Sequence, residues 1–302
     1  MEIVNIDDEA VARLHFSHTT EYRYSGPVEF GRHRLVMRPR ETHFERVEHM
    51  KITTFPESRL HWFEDIYGNI IASADFLTQS DTLSIQSEFE ICKYLPTEPT
   101  IGAEVLAGEE YPVYYPGLEE GASHLYRRSV YPTEVEGVRA WVRSLGILPP
   151  TGTRGPIFLS LASAINEQIN YQRREKPGVQ SPLETLRKTS GSCRDTAVLM
   201  MEAGRCFGYA TRFVSGYLES QNSKVGRGST HAWMEAYLPD RGWTGFDPSI
   251  GEQAGVGHVA VAVSNHPRGV MPISGSFTGY GNKSAGMTVA IHSRRSGPGV
   301  QE

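Results

Sequence analysis

Residues 82–92, TLSIQSEFEIC, put Leu83, Ile85, Phe89 and Ile91 on one parity and Ser84, Gln86, Glu88 and Glu90 on the other. A period of two fits a strand with one buried face and one wet face, and it excludes an amphipathic helix over the same residues. From about Ala12 to Leu95 the chain reads as strands of this kind. RLHWFEDIYGNIIASADF holds a further pair joined near Asp65, Gly68 and Asn69, residue types that accept the left-handed conformations of turns. The first third, residues 1–115, is therefore expected to be an antiparallel β domain.

Residues 95–132 carry many Pro and Gly with no sustained period, and read as a linker laid over the surface. Beyond it the period lengthens. TEVEGVRAWVRSLG reads as a helix that starts at a capping residue and stops at Gly146, and PIFLSLASAINEQINYQ sets Ile157, Leu161, Ile165 and Ile169 four apart on one face. ATRFVSGYLES, THAWMEAYLP, GWTGFDPS, HVAVAVSNHP and SAGMTVAIHS then read as strands. Helices followed by strands predict an α+β domain over residues 126–293, closed by its C-terminal strands, with 294–302 as a flexible tail.

Composition narrows the function. The 302 residues are 39% hydrophobic and 22% charged, with no apolar run near the ~18 residues of a membrane span. No membrane partner is expected. The opening MEIVNIDDEA is acidic and lacks the basic start and apolar stretch of a signal peptide, so the cytoplasm is the expected compartment. A net charge of −5, with only RRSVYP and HSRRSG as short basic runs, argues against a nucleic-acid surface. Cys92, Cys193 and Cys206 are too few for a disulfide framework or a four-ligand zinc site. His15 and His18, three apart in a strand, point to opposite faces. No metal and no cofactor is expected.

The segment SGSCRDTAVLMMEAGRCFG carries the first chemical signal. Ser192 with Asp195 three residues later fits a capping box and makes Cys193 the first helical residue. Unpaired backbone N–H groups and the positive end of the helix dipole favour a thiolate there. Gly191 and Ser192 leave room beside it for a substrate carbonyl. A core helix that merely begins with a packing cysteine fits the segment too. Cys206 lies thirteen residues on, about 20 Å along the same helix, and reads as packing, as does Cys92.

A cysteine nucleophile needs a base and a group that orients the base. His231 and Asp247 bracket a hairpin that turns at PDRG. A register pairing Leu238 with Gly242 leaves Pro239, Asp240 and Arg241 as the loop. It puts Asp247 opposite Trp233 and diagonal to His231, on one face. An odd register separates them. Taken singly, each also fits a structural role, His231 at a strand start and Asp247 in a turn before Pro248.

GSCRDTAVL, THAWMEAYLPDRGW and GFDPS resemble, in order and spacing, the three blocks of the transglutaminase-like superfamily. HTTEYRYSGPVEFGRHRLVMRPR and DIYGN resemble the β domain that precedes this core in bacterial members, and HPRGVMPISGSFTG the segment that follows it. The resemblance implies a papain-like α+β core with Cys193 as nucleophile, His231 as general base and then acid, and Asp247 fixing the imidazole. The implied chemistry is acyl transfer through a thioester. The backbone N–H of Cys193 is the natural first oxyanion donor; for a second, the resemblance suggests Tyr171, which fits equally as a core tyrosine. Gln180, thirteen residues upstream, is too distant to equate with the glutamine that papain relatives use. Trp233 and Trp243 flank the triad in sequence and are candidates to wall a cleft, or core residues. The expected function is a cysteine hydrolase, protease or amidase, acting on a peptide, protein or other amide. A transglutaminase using an amine acceptor and a non-catalytic protein-binding scaffold are the alternatives.

Overall fold

In a computed structural model the described residues are 10–94, 112–147, 156–174, 176–219, 229–239 and 241–296. The first sheet is built around β1 (Ala12–Phe30), which pairs antiparallel with β6 (Ser80–Lys93); β6 in turn pairs with β3 (Glu45–Phe55). Leu83, Ile85, Phe89 and Ile91 of β6 are fully buried, as the alternation predicts. A second sheet contains β2 (His33–Leu35), β4 (Ser58–Glu64) and β5 (Ile70–Phe76). Strands β4 and β5 form the expected hairpin around Gly68, whose φ of 73° suits glycine. Val28, Phe30, Leu35, Met37, Ala72, Ala74, Leu83 and Ile85 fill the space between the two sheets.

The helices are α1 (Leu118–Arg127), α2 (Val135–Ser144), α3 (Ile157–Gln168), α4 (Pro182–Lys188) and α5 (Cys193–Cys206). Two short strands, β7 (Asn170–Tyr171) and β8 (Ser190–Gly191), pair parallel between them. The third sheet runs in the order β12 (Glu252–Gln253), β11 (Gly242–Asp247), β10 (His231–Leu238), β9 (Thr211–Leu218) and β13 (His258–Ser264). Helix α5 lies against it, with Ala197, Val198, Leu199, Met200, Met201 and Ala203 fully buried.

Two expectations are corrected. The stretch read as a linker contains α1, which straddles the boundary drawn between residues 115 and 126. Its Glu119 and Glu120 in the first turn and His124 and Arg127 in the last complement the helix dipole, a signal masked by the surrounding Pro and Gly. The linker's residues 95–111 lie outside the described residues. The C-terminal strands also do not close the second unit. After β14 (Ile273–Ser274) pairs with β2 and β15 (Phe277–Thr278) with β1, β16 (Ser284–Ser296) pairs along β1 from Arg13 to Tyr24. Strand β16 therefore extends past residue 293 into the expected tail, and it belongs to the first sheet. The free edge of β1, left open by β6 on its other side, is what recruits it.

The two regions share one hydrophobic cluster, in which Ala12, Leu14, Phe16, Phe89 and Ile91 join the residues of α3 and α5. Tyr217 of β9 packs on Phe16 and Phe89, with centroids 5.1 and 5.4 Å away, and its hydroxyl lies 2.8 Å from His18 Nδ1. Burial pushes the His18 pKa down to about 4, so this ring is a neutral hydrogen-bonding group. Asn69, from the β4–β5 turn, brackets Val263 of β13 as a second strand would. Its Nδ2 donates to the carbonyl and its Oδ1 accepts from the N–H, both at 2.8 Å.

Candidate active site

Cys193 begins α5, with Ser192 at the N-cap. The start of the helix is held by Asp195, which is fully buried. Its Oδ2 accepts from the Ser192 N–H and Oγ, each at 2.8 Å, and from Arg174 Nε at 2.7 Å; its Oδ1 accepts from the Gln180 N–H at 2.7 Å. Burial opposes the charge, but the Arg174 bond and these donors outweigh it and hold the carboxyl below the usual range. Asp195 is thus neutralised by Arg174 and by the helix start it caps. Gly191 is required by the same packing, because a Cβ there would sit 2.9 Å from Asp195 Cβ.

The hairpin register matches the expectation, with Leu238 opposite Gly242 and Met234 opposite Phe246. Continued by one residue it brings Asp247 toward His231, and His231 Nε2 lies 2.6 Å from Asp247 Oδ2. Both side chains are fully buried. The Asp247 Oδ1 accepts from the Ser249 N–H at 3.0 Å and Oγ at 2.5 Å, so the Asp-Pro-Ser turn aims the carboxylate.

Burial works against a charged imidazole, yet the Asp247 carboxylate and the adjacent Cys193 raise the His231 pKa to about 10. Asp247 is also penalised by burial, and is nonetheless pushed down by His231 and His258. The ring nitrogen not turned to Asp247, Nδ1, is buried and makes no well-formed hydrogen bond. Cys193 itself is half-buried. The His231 ring is thus held by a carboxylate through one nitrogen and has beside it Cys193, the first residue of α5.

His258 was not foreseen. Its Nε2 lies 3.0 Å from the same Asp247 Oδ2. Among the described residues, His231, Asp247 and His258 form a group whose ligand-type atoms lie within 4.8 Å of one another. The oxygen they share lies at hydrogen-bond distance from both nitrogens. The one available hint was that His258 opens a strand eleven residues after Asp247.

The remaining candidates divide. Tyr171 is brought to the cysteine loop, since it pairs with Gly191 across β7 and β8. Trp233 is buried, and packs 5.9 Å from the His231 ring and edge-on 5.1 Å from His258. It backs the two histidines. Trp243 is four residues, about 13 Å, along β11 from Asp247. It is occupied there by Arg212, whose guanidinium lies 4.0 Å over its ring, and by Tyr126 and Tyr237. Gln180, set aside on sequence distance, is folded to the helix start; its Nε2 donates to the Ser190 carbonyl at 3.2 Å. Cys92 and Cys206 are both raised by burial, the latter to about 11.

Residues 153–248 match the family model described as the transglutaminase-like superfamily, and residues 14–92 the one described as the bacterial transglutaminase-like N-terminal region. An uncharacterized protein of Mycobacterium leprae is 23% identical over 285 residues, covering 92% of this chain and 98% of the relative. One from Mycobacterium tuberculosis is 26% identical over 275 residues, covering 87% of each. The crystal structure of a candidate cysteine protease from Cytophaga hutchinsonii superposes with a TM-score of 0.68 at 16% identity, covering 95% of this chain and 92% of that one. That likeness carries the α+β fold and the β region before it. The second unit is thus similar to the transglutaminase-like superfamily over residues 153–248, and the first to the bacterial transglutaminase-like N-terminal region over residues 14–92.

Proposed function

We propose that this protein is a cysteine hydrolase of the transglutaminase-like superfamily that cleaves a peptide or other amide bond through a thioester. The observation that carries the reading is the His231–Asp247 pair, buried at 2.6 Å with its free Nδ1 on the side of Cys193. In this reading the Cys193 thiolate attacks the amide carbon, a C–S bond forms, and the negative charge on oxygen is met by the Cys193 backbone N–H. The His231 imidazolium gives its Nδ1 proton to the leaving nitrogen as the C–N bond breaks. Nδ1 then accepts a proton from water as the water oxygen attacks the thioester. Breakage of the C–S bond releases the acid and restores the thiolate–imidazolium pair. Asp247 holds the imidazole throughout and is not itself protonated.

Substrate is recognised in this account by an exposed amide carbonyl, on a peptide or protein, with no cofactor. An amine in place of water turns the same intermediate into a transglutaminase product. The test is mass spectrometry of a glutamine-containing peptide incubated with enzyme and a labelled primary amine. Predominant free acid is expected; predominant amine incorporation makes the protein a transferase. Failure of iodoacetamide to distinguish Cys193 from the other cysteines leaves the scaffold reading in its place. Among the described residues, no helix is long and apolar enough to cross a membrane.

A further inference from the structure

His258 lies outside the matched core, which ends at residue 248, yet it shares the oxygen that holds His231. Its protonation pattern can be read from its partners. The Gly255 backbone N–H donates to His258 Nδ1 at 3.0 Å, and a backbone N–H can only donate. Nδ1 is therefore the bare nitrogen, which leaves the proton on Nε2, 3.0 Å from Asp247 Oδ2. Asp247 thus has a neutral second donor fixed independently of His231.

The first β region holds that donor in place. Lys93, the last residue of β6, is buried and donates to the His258 carbonyl at 2.6 Å, and Glu45 of β3 pairs with its ammonium. Asn69 grips the other end of β13 at Val263. Trp233 closes the third side. The charged and titratable groups facing His258 and Asp247 are thus His231 from β10, Cys193 beyond it on α5, and Lys93 with Glu45 from the first sheet.

We infer that His258 is a positioning residue for the Cys193–His231–Asp247 site, donating to Asp247 from a strand that the N-terminal β region clamps. This rests on the hydrolase reading for its purpose, though not for its geometry. Without the second donor, the carboxylate loses one of the bonds that define its direction, and the imidazolium is held less well. A ring held less well gives less support to attack by Cys193, and the loss is expected to be felt most at low pH. Above the ordinary thiol range the thiolate forms without help.

The test is the rate of Cys193 alkylation by iodoacetamide at pH 6 and pH 9.5 in the full chain. His258→Phe should lower the pH 6 rate about tenfold or more, as expected for a lost hydrogen bond to a charged group, and leave the pH 9.5 rate within about twofold. His258→Gln, whose amide N–H can take the place of Nε2–H, should restore most of the pH 6 rate. Equal rates in wild type and His258→Phe at pH 6, or equal losses in both variants, overturn the inference. If His258→Phe does not fold, ¹⁵N NMR of the wild-type ring decides it. A protonated Nε2 and bare Nδ1 are expected, and the opposite tautomer overturns the assignment. Absence of enhanced pH 6 labelling in the wild type itself refutes the hydrolase reading and not the tautomer, so the two failures are distinguishable.

Discussion

Helix α5 begins and ends with the same residue type, and the two ends sit in opposite electrostatic surroundings. Cys193 sits where backbone N–H groups and the helix dipole favour negative charge, with the His231 ring, whose pKa Asp247 raises, beside it. Cys206 sits where the dipole disfavours it; its Sγ contacts the Val135 carbonyl at 3.8 Å, and burial lifts its pKa to about 11. Residue type does not separate them. Helix polarity and the group across the gap do, and both follow from where the hairpin β10–β11 lands against the helix.

The largest expected effect sharpens that contrast. Cys193→Ala should reduce hydrolysis by about 10³-fold or more, whereas Cys206→Ala should leave kcat within about twofold. Equal losses would remove the distinction between the helix ends. Next, Asp247→Asn keeps the shape of the site but removes the charge that holds the imidazolium, and should lower kcat by about 10²- to 10⁴-fold. It should also bring the alkaline limb of activity down from near the raised His231 value toward the ordinary histidine range. A limb that stays in place would show that Asp247 does not support the charge on His231.

The capping of the reactive end predicts a change in stability. Arg174→Met leaves Asp195 buried without its cation and should cost about 3 kcal/mol at pH 7, read from denaturant midpoints. Because the Asp195 carboxyl is held below its unfolded value, the stability it contributes is present above about pH 4 and falls away as pH drops through the folded value. The gap between wild type and variant should therefore narrow toward pH 3. A gap independent of pH would mean that Arg174 acts through packing alone. The smallest effect belongs to the inert end, where Cys206→Ala should cost about 1 kcal/mol of stability.

Much of the reactive end was legible in the linear chain because its determinants are local. Ser192 and Asp195 mark the helix start, and the parity of His231 and Asp247 with a turn at Pro239–Arg241 selects the register that joins them. The contributions of His258, Lys93 and Asn69 were not legible. Lys93 and Asn69 act on residues more than 160 positions away, and the contact of His258 with Asp247 depends on where HVAVAVSNHP joins its sheet, which its alternation does not reveal. Sheet membership misled for the same reason. The alternation of SAGMTVAIHS identifies a strand, but only the open side of β1 assigns it to the first sheet. Trp243 shows the opposite error, since nearness in sequence to Asp247 becomes a separation of about 13 Å along an extended strand.

On this reading the two ends of α5 differ in thiolate chemistry because His231 serves only one of them. It is tested most directly by competitive labelling of the native protein with limiting iodoacetamide at pH 6, followed by peptide mass spectrometry of all three cysteines. Cys193 should be modified about 100-fold faster than Cys206 and Cys92, and His231→Ala should abolish most of that advantage. Comparable labelling of Cys193 and Cys206, or selectivity that survives His231→Ala, would contradict it.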